Sequence, residues 1–141
     1  MIHKQALVVD DEPANQDFLV RLVAQAGFEV HGASNGQEAL SIVEAHPNLL
    51  LAVVDLQLPD VTDQELVIKV RTLLPSCVLV VATVFDEPDQ ITMAFENGCD
   101  VFLVKPHGFM EFFKRLRGVP EDRDQLSQLL IDQYGPRPYL E

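Results

Sequence analysis

The sequence predicts an α/β protein: a doubly wound, parallel five-stranded sheet of (βα)5 organisation with strand order 2-1-3-4-5, followed by an extra C-terminal helix. Three observations lead to this prediction. Short apolar runs alternate with segments of helical apolar spacing, most runs are apolar throughout, and polar residues follow the ends of the runs. The 141 residues are 48% hydrophobic, which is enough for one well-buried core and a short extension.

The five predicted strands are short apolar runs bounded by polar or turn-forming residues. A run that is apolar at nearly every position is typical of a strand covered on both faces, which places helices on each side of the sheet. In chain order the predicted strands are Ala6–Val9, Phe28–His31, Leu49–Val54, Cys77–Ala82 and Val101–Val104.

The helices between the strands are predicted from apolar stripes and from residues that begin or end helices. Proline suits an early helical position, glycine a helix end, and Ser or Thr followed by Gln or Glu at the third position resembles a capping box. These residues are Pro13 and Gly27 for the first helix, Ser34, Gln37 and Pro47 for the second, Thr62, Glu65 and Pro75 for the third, and Pro88 and Gly98 for the fourth. The fifth helix is predicted from the stripe Phe109, Phe112, Phe113 and Leu116.

Residues 119–141 are predicted as a helical extension or linker beyond a domain of residues 1–118. Pro120, Glu121 and Asp122 suit a helix start, and the run from Gly135 to Pro138 would end it. The apolar residues between them fall on one helical face: Leu126, Leu129, Leu130 and Tyr134. Such a stripe needs a cover, because isolated helices of this length are marginal in water.

Composition excludes several functional classes. The formal net charge of −12 argues against direct binding of nucleic acid, which needs Lys- and Arg-rich surfaces. We expect no membrane segment, since no apolar run approaches roughly 18–20 residues, and we expect a cytoplasmic protein without a signal peptide. Cys77 and Cys99 are predicted to be reduced core residues, and the histidines share no metal-ligand spacing.

Polar residues follow four of the predicted strands at the point where each ends. They are Asp10 and Asp11, then Asp55, Thr83 and Lys105. The carboxyl ends of parallel strands meet at one edge of a sheet, so these side chains should converge there. Three clustered carboxylates are costly without a cation, and Mg²⁺ commonly bridges carboxylates to phosphate oxygens. The pattern therefore predicts phosphoryl chemistry on Asp55, whose carboxylate can act as a nucleophile.

Four segments closing these strands resemble signatures of the receiver domain of two-component response regulators (CheY-like). They are VVDDE at 8–12, VVDLQLPD at 53–60, VVATVFDE at 80–87 and FLVKP at 102–106, and the resemblance covers residues 4–117. It implies a phospho-accepting switch. A sensor histidine kinase or phosphotransfer protein would phosphorylate Asp55, and the changed surface would be read by a downstream protein or output domain. No turnover of an external substrate is expected, and a homodimer is possible.

The resemblance also assigns roles to the site residues. Asp11 would bind Mg²⁺ directly and Asp10 through water, together with Asp55 and the backbone carbonyl of Gln57. Lys105 would contact the phosphoryl oxygens, aimed by a cis bond to the following proline. Alternatively, Asp10 and Asp11 bind no metal and only interact favourably with the N-terminus of the first helix. Glu12 suits a capping role better than a metal role.

Switching and lifetime involve further residues by the same resemblance. Thr83 would donate its hydroxyl to the phosphoryl group, and Phe102 would turn inward, although plain core packing also explains a phenylalanine there. Gln57 and Phe85 occupy positions that tune dephosphorylation, and Phe85 should slow the attack of water. Val84 replaces a smaller residue and should narrow access, while Asp63 stands where glycine is common. His107 is interpreted as a turn residue.

Three other functions are alternatives to the phospho-accepting switch. A flavodoxin-like electron carrier shares the strand order, but the acidic segment after the first strand would repel the phosphate of FMN. A haloacid-dehalogenase-type phosphatase needs Asp-x-Asp where this chain has Asp10 and Asp11 side by side. A degenerate receiver would serve only as a docking module.

If the chain is a receiver, we expect residues 119–141 to pack on or near the face formed by the fourth helix, fifth strand and fifth helix. They would act there either as a dimer element or as an occluding one.

Overall fold

The computed structural model describes residues 4–61, 64–84, 86–106, 108–119 and 123–139. Within this part of the chain the strands are β1 (Gln5–Val9), β2 (Glu29–Ala33), β3 (Leu51–Val54), β4 (Val78–Thr83), β5 (Val101–Val104), β6 (Leu129–Asp132) and β7 (Gly135–Pro138). The helices are α1 (Pro13–Gln25), α2 (Gly36–Ala45), α3 (Glu65–Leu73), α4 (Pro88–Glu96) and α5 (Phe109–Leu116), with a 3-10 turn at Arg123–Leu126. None of the described helices has the length and apolar character to cross a membrane.

All strands form one sheet in the order β2-β1-β3-β4-β5-β6-β7. The strands from β1 to β6 pair in parallel, and β7 returns antiparallel to β6. The predicted five-stranded order is therefore confirmed, and the predicted strand bounds differ from the observed ones by no more than two residues. Two strands that the sequence reading did not anticipate extend the sheet beyond β5.

The core consists of two apolar layers, one on each face of the sheet. Alternate residues of β1 show the division, since Leu7 packs in the layer that includes α2, α3 and α4, and Val8 packs in the layer that includes α1 and α5. Both are fully buried, and all the residues of β3, β4 and β5 are buried as well. The uniformly apolar strands thus follow from helices on both faces.

The helix caps are of the predicted types, but not all of them lie at the predicted residues. Glu12 caps α1, as expected. The capping box of α2 lies one residue away from the predicted pair: Asn35 accepts from the Glu38 N–H at 2.8 Å, and the Glu38 carboxylate accepts from the Ser34 N–H at 2.9 Å. Thr62, predicted to cap α3, lies outside the described residues.

The predicted C-terminal helix is wrong. Leu129, Leu130 and Ile131 form a strand that is buried on both faces, with Leu130 in one core layer and its two neighbours in the other. A short apolar run fits a buried strand as well as a helix, so periodicity alone could not decide. Tyr134, expected on the apolar face of the helix, lies in the β6–β7 turn with 80% of its surface exposed. Residues 129–139 are called the C-terminal hairpin below.

Both cysteines are buried in the reduced state, as predicted. Burial, with a smaller contribution from the neighbouring Asp100 carboxylate, raises the pKa of the Cys99 thiol. A buried thiol with a raised pKa is a poor nucleophile, which agrees with a packing role.

Candidate functional site

The polar residues predicted to converge do lie at one edge of the sheet. The parallel register aligns Val9 of β1 with Val54 of β3, and Thr83 of β4 with Val104 of β5. The backbone pairing continues one residue past the strands, since the Asp55 N–H donates to the carbonyl of Val9 at 3.0 Å. The N–H of Lys105 likewise donates to the carbonyl of Thr83 at 2.7 Å. The backbone itself therefore fixes the positions from which these side chains start.

Three carboxylates form the acidic part of the site. Asp10, Asp11 and Asp55 each offer one oxygen, and these oxygens lie within 4.8 Å of one another. Asp10 and Asp55 are buried and Asp11 is exposed. Three clustered carboxylate oxygens are a donor set suited to a hard divalent cation such as Mg²⁺. The site thus fits the ion that the sequence predicts.

Lys105 lies between two of these carboxylates. Its Nζ is 2.5 Å from Asp10 Oδ2 and 3.0 Å from Asp55 Oδ2, and its side chain is buried. Burial favours the neutral amine, but hydrogen bonds and charges from Asp10 and Asp55 outweigh it, so the pKa of Lys105 is raised. The ammonium is therefore charged at neutral pH. The Lys105–Pro106 peptide bond is cis, in agreement with the resemblance.

The second oxygen of each buried aspartate is held by the backbone. Asp10 Oδ1 accepts from the N–H of Glu12, and Asp55 Oδ1 accepts from the N–H of Gln57, both at 2.9 Å. Each carboxylate is thus fixed on one side by the loop that follows it and on the other by Lys105. This arrangement orients the carboxylates before any ligand arrives.

Gln16 in α1 supports the site and was not anticipated from the sequence. Its amide Nε2 lies 2.8 Å from the carbonyl oxygen of Asp10, 3.0 Å from that of Ala33 and 3.1 Å from the hydroxyl of Ser34. A Cβ at Gly32 would lie only 2.7 Å from Gln16 Oε1, so glycine leaves room for this side chain. A glutamine one turn into an amphipathic helix gives no sequence signal of such a role.

Asp60 anchors the loop that follows Asp55, and sequence reasoning missed this residue as well. Its two carboxylate oxygens accept from the N–H groups of Gly36 and Gln37, at 2.7 and 2.9 Å, at the start of α2. The bond from Gly36, followed by that from Gln37, lowers the pKa of Asp60. A Cβ at Gly36 would lie 2.6 Å from a methyl of Val61, so the close approach of loop and helix requires glycine there. Asp63 lies outside the described residues.

The two residues with predicted switching roles are fully buried. Thr83 ends β4, and Phe102 packs in the core layer that contains Phe95 and Leu130. Gln57, two residues after Asp55, has an exposed side chain. Phe85 and His107 lie outside the described residues.

Two clefts border the site, and Val84 and Lys105 line both of them. The first, of about 310 Å³, is mainly apolar and is also lined by Phe18 and Phe109. The second, of about 370 Å³, is also lined by Asp132 and Arg137 of the C-terminal hairpin. Val84, predicted to narrow access, is 56% exposed at the boundary between the clefts.

Comparison with known proteins gives the family. The model of the response regulator receiver domain matches residues 6–117. The chain belongs to the receiver domains of response regulators. Receiver domains are signalling modules of two-component systems and generally turn over no external substrate. The match lies on the family whose signatures the sequence resembles, rather than on an electron carrier or a phosphatase.

Two curated relatives and one solved structure illustrate the family. The chain is 33% identical over 100 residues to a cyclic di-GMP phosphodiesterase of Thermotoga maritima, covering 71% of this chain and 26% of that protein. It is 32% identical over 128 residues to the probable transcriptional regulator ycf27 of Porphyridium aerugineum, covering 90% and 52%. The chain therefore spans from about a quarter to a half of these relatives.

The solved structure is a response regulator from Burkholderia pseudomallei with a phosphorylated aspartic acid, a calcium ion and citrate. It superimposes with a TM-score of 0.73 at 27% identity, covering 80% of this chain and 66% of that one. The fold and a quarter of the residues are thus shared with a receiver whose aspartate is phosphorylated.

Proposed function

We propose that this receiver is a phospho-accepting switch in which Asp55 is the phosphoacceptor. The observation that carries the proposal is the buried Lys105 ammonium bound to Asp55 and Asp10, with the Asp11 carboxylate beside them. An ammonium beside the acceptor can shift from the carboxylate to the phosphoryl oxygens once the acceptor is modified. The phosphorylated aspartate of the Burkholderia pseudomallei relative supports the same chemistry here.

The proposed donor is the phosphohistidine of a sensor kinase or of a phosphotransfer protein. Transfer breaks the P–N bond of the donor and forms a P–O bond to a carboxylate oxygen of Asp55. The electron pair of the broken bond returns to the imidazole nitrogen. Phosphoryl transfer depends mainly on positioning and charge stabilisation, so a carboxylate held by the Gln57 N–H and by Lys105 suits it. Thr83 is the proposed hydroxyl donor to a phosphoryl oxygen.

Asp11 and Asp55 would hold Mg²⁺ directly and Asp10 through water, with the backbone carbonyl of Gln57 as a further proposed ligand. When bound, the ion neutralises part of the charge of the carboxylates and of the phosphoryl oxygens. The calcium ion in the Burkholderia pseudomallei relative is a second divalent cation that takes oxygen ligands. Removal of Mg²⁺ should therefore abolish phosphorylation.

Through the family we also propose a cytoplasmic setting and two protein partners. The upstream partner is the phosphodonor, and the downstream one is a protein or output domain that reads the changed surface. The transcriptional regulator among the relatives shows one type of protein in which such a domain occurs.

Mass spectrometry after incubation with acetyl phosphate and Mg²⁺ tests the proposal. We expect the intact protein to gain one phosphoryl group, and both chelation of Mg²⁺ and the Asp55→Asn substitution to abolish the gain. Asp17→Asn is the matched control, because Asp17 is an exposed aspartate of α1 that pairs only with Arg21 among the ion pairs observed. Labelling of Asp55→Asn at the wild-type rate would refute the assignment.

A further inference from the structure

The C-terminal hairpin lies beyond the residues that the family model matches, yet it borders the phosphoacceptor site. Because β6 is parallel to β5, its carboxyl end at Asp132 lies at the same edge of the sheet as Lys105. The cleft of about 370 Å³ is lined both by Val84 and Lys105 of the site and by Asp132 and Arg137 of the hairpin. An element added to the receiver fold is thus placed next to its chemistry.

The hairpin is packed tightly against β5 and the start of α5. Phe102 of β5 is in register with Leu130, and Leu103 with the fully buried Ile131. A Cβ at Gly108 would lie 1.9 Å from a methyl of Ile131, so the loop between β5 and α5 and the hairpin are in direct contact. Lys105 is the first residue of this loop. A displacement of this loop toward the hairpin would therefore meet the side chain of Ile131.

Tyr139 fastens the end of the hairpin to α4. Its ring stacks on Phe95 with a centroid distance of 4.1 Å and an angle of 12° between the rings. Its hydroxyl is 3.0 Å from that of Thr92, and its N–H donates to the carbonyl of Gln128 at 2.7 Å. Since α4 follows the loop that begins after Thr83, the hairpin contacts the elements behind both Thr83 and Lys105.

The present position of Lys105 does not suit a phosphorylated Asp55. Its Nζ lies 3.0 Å from Asp55 Oδ2, which is a direct hydrogen bond with no space for a phosphoryl group between the two atoms. Lys105 must therefore withdraw from the carboxylate before it can contact phosphoryl oxygens instead. The hairpin contacts both the loop that begins with Lys105 and the helix that follows Thr83, so it restrains the two elements that adjoin these side chains.

We propose that the docked C-terminal hairpin stabilises the unphosphorylated arrangement, so that hairpin docking and phosphorylation of Asp55 oppose each other. This inference depends on the proposed function. Because coupling between two sites is reciprocal, phosphorylation loosens the hairpin and a loosened hairpin favours phosphorylation. Release uncovers Phe95 and the pairing edge of β5.

Hydrogen exchange and beryllofluoride binding test the two directions of the coupling on the full chain. Beryllofluoride with Mg²⁺ serves as the stand-in for the phosphoryl group. We expect its addition to speed amide exchange of residues 129–139 about 5-fold or more, the lower range of typical allosteric couplings. Tyr139→Ala should bind beryllofluoride about 5-fold more tightly than the wild type, as measured by fluorine-19 NMR titration.

Tyr134→Ala is the matched control, since it removes the same side chain from the exposed turn of the same hairpin. Tyr134→Ala should change neither the amide exchange of residues 129–139 nor the affinity for beryllofluoride. Ile131→Ala loosens β6 at a different point and should act in the same direction as Tyr139→Ala.

The possible outcomes separate this inference from the proposed function. If beryllofluoride binds but hairpin exchange stays unchanged, the coupling is refuted and the phosphoacceptor assignment stands. Faster hairpin exchange in Tyr139→Ala with wild-type affinity refutes it as well. If neither the wild type nor any variant binds beryllofluoride, and acetyl phosphate does not label Asp55, both proposals fail together.

Discussion

Lys105 is the residue on which the electrostatic balance of the site depends. It is the buried cation that contacts both Asp10 and Asp55, and each contact is within hydrogen-bond distance. Removing one partner of a buried ion pair is costly because the remaining charges lose their compensation. The stability of the unphosphorylated protein should therefore depend on this side chain.

We predict that Lys105→Met lowers the free energy of unfolding by about 3 kcal/mol at pH 7 without Mg²⁺, as measured by urea denaturation. Addition of Mg²⁺ should restore part of the loss, since the cation replaces the missing positive charge. Lys69→Met is the control, because Lys69 pairs with Glu65 on the surface of α3 and should change stability by less than about 1 kcal/mol. Equal stability of Lys105→Met and the wild type would contradict this account.

The residues of the site differ in how far the sequence reveals them. Asp10, Asp55 and Lys105 can be located because each follows an apolar run, and the ends of parallel strands must meet. Gln16 and Asp60 could not be located in this way. Their roles depend on backbone groups of distant residues, and a polar side chain on a helix or in a loop is normally just solvent-exposed.

At the scale of secondary structure, the loop after β3 and the start of α2 form one unit through Asp60. Both carboxylate oxygens satisfy N–H groups that the first turn of a helix otherwise leaves unpaired. The negative charge also interacts favourably with the positive end of the helix dipole. The loop that carries Gln57 is thus held by a contact that depends on ionisation.

We predict that Asp60→Asn lowers the urea midpoint at pH 7 and that the difference from the wild type disappears in acid. The pKa of Asp60 is lowered in the folded state, so its contribution is fully present above the ordinary value of 3.8. That contribution is lost as the pH falls through the folded-state pKa. Urea midpoints measured across this range provide the test.

The control for this prediction is Asp89→Asn, which changes an exposed aspartate in the first turn of α4. Its effect on the midpoint should be smaller than that of Asp60→Asn at neutral pH. A difference between Asp60→Asn and the wild type that persists undiminished in strong acid would show that the contact does not depend on the charge.

Elements could be predicted where the local signals fit one structure and not where they fit two. The five β/α units have apolar strands, helical stripes and turn residues in agreement, and all five were found. The segment from Leu126 to Tyr134 lies between a helix-start signal at Pro120 and an end signal after Tyr134, but its apolar residues suit one helix face or a buried strand equally well. The segment forms a strand because it pairs with the otherwise uncovered edge of β5. This pairing is a tertiary contact, which a local sequence pattern does not contain.

At the scale of the whole molecule, the C-terminal hairpin and the receiver fold share both core layers. Leu130 packs in one layer, and Leu129 and Ile131 pack in the other, so the hairpin closes the core on the β5 side. Small domains with a continuous core commonly unfold in a single transition. In the unphosphorylated protein the hairpin should therefore unfold together with the sheet.

We predict that Ile131→Ala lowers the global free energy of unfolding by about 2–5 kcal/mol, because it removes fully buried methyl groups and leaves a cavity. Circular dichroism and tyrosine fluorescence should report the same single transition during urea denaturation. Tyr134→Ala should stay within about 0.5 kcal/mol of the wild type. Two separate transitions in the wild-type protein would show that the hairpin is an independent unit.

The prolines of β7 have a consequence for assembly. The N–H of Tyr139 points inward to the carbonyl of Gln128, so alternation along the strand directs the backbone nitrogens of Pro136 and Pro138 outward. Proline carries no N–H, and the outer rim of the strand lacks hydrogen-bond donors at these two positions. A strand from another molecule could form few hydrogen bonds along this rim. While the hairpin is docked, this edge of the sheet therefore resists edge-to-edge aggregation.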